Sequence, residues 1–200
     1  MDFDRLEKFV YEELKNDKTG HDSQHVKRVM KLALSIAKTE EIDMEVLRTA
    51  ILLHDISLRN SPVKGHEITS AIQAREILSS YDFPKEKIDL VCEVIKNHNR
   101  AYGIEKVDVS TFSKEARILC DADRIDSFGA IGIIRSISFS LSQGCAYMNS
   151  NNDQVNESFY GSLKFLIHLA DDMLTKEGSK IAKERVKIIE YFIGEMEKEI

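Results

Sequence analysis

The chain has 200 residues, 42% hydrophobic and 31% charged, a balance that supports a buried core and is too apolar for disorder. Its net charge of −6, from 28 basic and 34 acidic residues, argues against a surface that coats nucleic acid, because phosphate binding needs clustered Lys and Arg. No apolar run reaches the roughly 18 residues of a membrane span, and the acidic opening Met1-Asp2-Phe3-Asp4-Arg5 lacks the apolar stretch of a secretory signal.

Only two prolines, Pro62 and Pro84, and nine scattered glycines interrupt the chain, so long stretches can stay helical. Phe3, Leu6, Val10 and Leu14 recur at three and four residues, as on one helical face. Val26, Val29, Met30, Ala33 and Ile36 repeat the pattern, as do Ile88, Val91 and Ile95, and later Ile181, Ile188, Ile189, Phe192, Ile193 and Met196. The spacing predicts helices over about 3–16, 22–40, 43–56, 66–81, 85–98, 113–126, 128–142, 156–176 and 179–198. Asn99 to Thr111 and the Asn-rich Ser142 to Asn156 read as long loops beside a site. No repeat or linker divides the chain, so one domain over 1–200 is expected. Cys92, Cys120 and Cys145 lack CxxC spacing, which argues against a disulfide framework or structural zinc and makes a reducing cytoplasm the default.

The chemistry lies in histidines and acids that fall on apolar faces. His25 opens the second helix, with Asp22 or Ser23 as its cap. Leu47, Ala50 and His54 share one face, and Ile88, Val91, Ile95 and His98 share another, so both imidazoles end an apolar stripe and point inward. Asp55 follows His54 directly. Further on, Cys120-Asp121-Ala122-Asp123-Arg124-Ile125-Asp126 places three acids in an otherwise apolar helix. Buried acids need partners, either a cation or neighbours such as Arg117, Arg124 and Arg135. A mixed imidazole–carboxylate set suits Mn, Fe, Co, Ni or Zn better than Ca. An ion with open positions turns bound water into a nucleophile near neutral pH.

Taken in order, His25, then His54-Asp55, then an acid within 121–126 resemble the signature of the HD-domain metal-dependent phosphohydrolases. The flanks Gly20-His21-Asp22-Ser23-Gln24-His25-Val26-Lys27-Arg28-Val29 and Asp121-Ala122-Asp123-Arg124-Ile125-Asp126, with Gly129 to Arg135, are similar to a bacterial and archaeal branch of small HD hydrolases. The resemblance covers about residues 20–136. It implies an all-α fold with a five-helix core, to which terminal helices, about 156–198 at the C-terminal end, are added. It implies His25, His54 and Asp55 as metal ligands, with Asp123 favoured over Asp121 as the fourth. His66 and His98 fit the order of two further histidines that hold a second ion in related enzymes, or that contact phosphate. The cofactor expected is one divalent transition-metal ion, or two.

One well-known nucleotidase pattern has an acid just after the HD pair, where this chain has Ile56-Ser57-Leu58-Arg59. The proton donor is therefore sought among His66, Glu67 and Asp126. Arg28, Lys64, Arg124 and Arg135 are the candidates for binding phosphate; His21 and His168 have no assigned role. The expected function is hydrolysis of a nucleotide or related phosphoester or pyrophosphate in the cytoplasm. The alternatives are a di-iron oxygenase on the same scaffold and a non-catalytic nucleotide sensor. The amphipathic terminal helices can pack on the core or on a second copy, so a homo-oligomer stays open.

Overall fold

The computed structural model describes residues 2–15, 17, 20–58, 65–81, 83–99, 108–148 and 158–199. Among these residues the chain is helical, with no strand beyond an isolated bridge between Ala146 and Ser158. The all-α expectation therefore holds. The helices are α1 (Phe3–Leu14), α2 (Ser23–Ile36), α3 (Met44–Leu53), α4 (His66–Ser80), α5 (Lys85–Asn97), α6 (Lys114–Asp126), α7 (Gly129–Ser142), α8 (Phe159–Leu169) and α9 (Lys176–Glu199). They form two compact units, one of Met1–Asp17 with His21–Ala122, the other of Lys18–Gly20 with Asp123–Ile200.

In the first unit α5 packs against both α3 and α4, while α1 and α2 lie against α3. The stripes read from the sequence face this core: Leu6, Val10 and Leu14 from α1, Val26, Val29 and Ala33 from α2, and Val91 and Ile95 from α5 are buried. Side-chain caps set several helix starts. Asp22 Oδ1 accepts from the His25 amide at 2.9 Å, and Asp43 Oδ1 accepts from the Glu45 and Val46 amides at 3.0 and 3.1 Å, satisfying amides that the helix itself leaves open. Lys87 on α5 bridges Asp43 and Glu45 at 2.9 and 2.7 Å, tying the start of α3 to α5.

In the second unit α7, α8 and α9 pack pairwise. Ala182, Val186, Ile189 and Ile193 bury one face of α9, and Phe159 meets Phe192 edge-on, centroids 6.4 Å apart. The expected helix over 156–176 is shorter. It ends at Leu169, where the Asp171 and Asp172 amides turn back onto the His168 and Leu169 carbonyls. Thr175 Oγ1 then caps the next helix through the Gly178 amide at 3.0 Å, so α9 begins at Lys176 rather than 179. The third helix closes at Leu53, leaving Asp55 in the turn that follows. Most of both long loops, residues 100–107 and 149–157, lies outside the described residues.

Cys92 and Cys120 are buried, Cys145 is half-buried, and none forms a disulfide. Burial pushes the Cys92 thiol up from its ordinary range. An aromatic disulfide reagent added to native protein at pH 8 should therefore modify one thiol quickly, Cys145, and the other two only on unfolding. Three fast equivalents would contradict this packing.

Candidate metal centre

Five side chains from four segments of the first unit converge. His25 sits in the first turn of α2, fixed there by the Asp22 cap. His54 and His98 occupy equivalent places, each the residue that ends its helix, α3 and α5. Each turns its ring back on its own helix: His54 Nδ1 lies 2.8 Å from the Ile51 carbonyl, and His98 Nδ1 lies 2.6 Å from the Ile95 carbonyl. A carbonyl only accepts, so both Nδ1 atoms donate, which directs the Nε2 lone pairs into the cluster. Asp55 lies in the turn after α3, and His66 opens α4.

Asp55 joins the set. Its Oδ2 lies 3.4 Å from His25 Nε2 and 3.1 Å from His54 Nε2. Its Oδ1 lies 3.2 Å from His66 Nε2 and 3.8 Å from His98 Nε2. The paired imidazoles approach one another as closely, His25 Nε2 to His54 Nε2 at 3.3 Å and His66 Nε2 to His98 Nε2 at 3.2 Å. All five residues are buried. Burial pushes the Asp55 carboxyl up, but the imidazoles of His54, His25 and His66 around it outweigh burial and hold the group well below the usual carboxylate range.

The residues fit a metal. Two ligands at about 2.1 Å from one ion, at tetrahedral or octahedral angles, stand roughly 3.0–3.4 Å apart, and most of these separations match. Imidazole nitrogens with their lone pairs aimed at a buried carboxylate repel it unless protons or cations lie between them. Within the first unit two sets can hold an ion, His25–His54–Asp55 and Asp55–His66–His98, with Asp55 common to both. Each donor set is nitrogen and oxygen without thiolate, which suits a divalent transition metal.

The other candidates fall as follows. Glu67 follows His66, with Oε2 3.6 Å from His66 Nδ1; that buried oxygen has no hydrogen-bond partner among the described residues. Asp121 is buried in the first unit, and Asp123 follows in the second, on the same helix α6. Asp126 is buried and accepts from Arg135 Nη1 at 2.8 Å. Arg124 is buried, and its Nη1 donates to the Asp172 carbonyl at 3.0 Å. Arg28 is half-buried on α2, and Lys64 lies outside the described residues. Two features went unread in the sequence. His21 stands edge-on to His25, centroids 5.5 Å apart, and Ser57 and Ser70 form a buried hydroxyl pair behind His66.

The HD domain matches residues 22–127, just over half of the chain. The chain belongs to the HD domain family. The Bacillus subtilis protein YpgQ is 29% identical over 198 residues, which cover 98% of this chain and 93% of YpgQ. The crystal structure of YpgQ in complex with ADP matches with a TM-score of 0.78 at 28% identity, over 98% of this chain and 94% of that one. An HD-superfamily hydrolase from Bacillus thuringiensis matches with a TM-score of 0.73 at 27% identity, over 98% and 95% of the two chains. These similarities set the chain among the HD-superfamily hydrolases. Among the described residues no helix is long and apolar enough to cross a membrane.

Proposed function

We propose that this HD-domain protein is a metal-dependent phosphohydrolase acting on a nucleotide, at a phosphoester or pyrophosphate bond. The observation that carries the reading is the buried Asp55 carboxylate, with one oxygen facing the His25–His54 pair and the other facing the His66–His98 pair. His25, His54 and Asp55 would hold one divalent ion, and Asp55, His66 and His98 a second. By the family resemblance of its Ala122-Asp123-Arg124 step, Asp123 is the further acidic ligand proposed. Ions held there supply Lewis acidity and a water that ionises near neutral pH.

The chain's own residues do the rest. Arg28 lies one helical turn beyond His25, on the same face of α2, which suits it to bind a phosphoryl oxygen. Glu67 is assigned the proton transfer, because its buried oxygen has no hydrogen-bond partner among the described residues, whereas Asp126 is neutralised by Arg135. The ADP bound to YpgQ supports a nucleotide as substrate class. The family match runs past the boundary between the two units, to residue 127, which supports reading the chain as one HD-like domain with added helices. Three thiols without a disulfide fit a reducing, cytoplasmic setting.

The test is a panel of nucleotides and simple phosphoesters, each with Mn, Co, Ni or Mg, scored by the product released. Metal-dependent release of phosphate or pyrophosphate is expected, with turnover collapsing and metal content falling in His54→Ala. Full metal content and turnover in that variant would overturn the reading. Oxygen-dependent turnover with an iron absorption band would favour an oxygenase instead.

A further inference from the structure

Resting on the two-ion reading above, we propose that Ser57 and Ser70 are positioning residues that lock His66 onto the second ion. His66 is the first residue of α4, and the first turn of a helix frays because its amides lack partners. α4 has no side-chain cap: Gly65 precedes it in the left-handed region, φ 84°, and has no side chain to accept from the first amides. An imidazole at such a position needs another anchor, since a ligand must hold its place to within about 0.5 Å.

The anchor is a directed chain of three hydrogen bonds. The Ser57 amide donates to Ser70 Oγ at 3.2 Å, the Ser70 hydroxyl donates to Ser57 Oγ at 3.0 Å, and the Ser57 hydroxyl donates to the His66 carbonyl at 3.2 Å. Both serines are fully buried, and each hydroxyl proton has an acceptor, so the network is rigid rather than strained. Ser57 lies two residues beyond Asp55, and Ser70 one helical turn beyond His66. The chain thus registers the backbone of the bridging carboxylate against that of the imidazole it faces. It also gives Ser57 a task in the segment where a related pattern has an acid: its side chain faces the backbone of α4.

Mn²⁺ titration of the full chain, read by calorimetry and by the electron paramagnetic resonance of coupled ion pairs, tests this. Wild type should bind two ions. Ser57→Ala should keep the first ion at wild-type affinity and bind the second 10–100-fold more weakly, the usual effect of removing a group that orients a ligand, with the coupled signal lost. Ser57→Thr, which keeps the hydroxyl, should restore both. Ser70→Ala should behave as Ser57→Ala does, and serves if Ser57→Ala fails to fold. Unchanged affinity for both ions in the alanine variants would overturn the proposal, as would equal weakening of both. Uptake of a single ion by wild type would overturn the two-ion reading itself, and the proposal with it.

Discussion

Asp55→Asn should leave the protein unable to retain metal and lower phosphohydrolase turnover by about a thousandfold or more. The loss of Lewis-acid stabilisation is worth several kcal/mol, and each 1.36 kcal/mol is about tenfold in rate. Asn keeps the shape of the side chain but removes the charge. That charge would balance cations on both sides at once, because the two carboxylate oxygens face separate histidine pairs. His25→Ala, by contrast, removes a ligand from one set only. Metal analysis after gel filtration, alongside turnover, checks the ordering: Asp55→Asn should lose both ions, and the single histidine variants should each keep a remnant. Asp55→Asn protein with its full metal content would refute the shared-carboxylate geometry.

The same substitution has a pH consequence for the metal-free protein. The Asp55 carboxyl is held well below its usual range in the fold. The stabilisation this gives is complete above the unfolded pKa of about 3.9 and drains away as pH falls toward the folded value. Metal-free wild type should therefore lose stability steeply below about pH 4, and Asp55→Asn should lose less over that window in a denaturant titration.

The largest effect on stability is expected within the second unit, at Gly132→Ala. A Cβ placed on Gly132 would lie 2.1 Å from the Ser127 carbonyl oxygen and 2.3 Å from its carbon. Both atoms are backbone, and the turn that carries them is fixed. Ser127 Oγ donates to the Arg124 carbonyl at 2.6 Å, its amide donates to the same oxygen at 3.0 Å, and the Phe128 amide donates to the Ile125 carbonyl at 3.1 Å. No side-chain rotation relieves the clash, so α7 must shift away from the end of α6. Overpacking usually costs about 1–3 kcal/mol; a backbone collision of this depth belongs at or beyond the upper end, about 4 kcal/mol. For a chain of this size that is a fall of about 10 °C in Tm. Thermal unfolding by circular dichroism checks it, and a variant melting within about 2 °C of wild type would contradict the close approach.

Much of this molecule could be read before folding was considered. Apolar spacing located the helices, Asp22 was one of two caps expected for α2, and the stripes ending at His54 and His98 marked both imidazoles as inward. The reason is local: a helix has 3.6 residues per turn, so a face is written in the spacing of its residues. The same local reach explains the failure at the eighth helix, where apolar spacing runs on past Leu169 while the chain turns at Asp171 and Asp172 and restarts on the Thr175 cap.

What no spacing encodes is which oxygen of Asp55 meets which histidine, or that Ser57 would reach across to the first turn of α4. His25 and His54 are 29 residues apart, and His66 and His98 are 32 apart. Their meeting depends on how α2, α3, α4 and α5 dock, and docking follows from the packing of whole faces rather than from the period of any one helix.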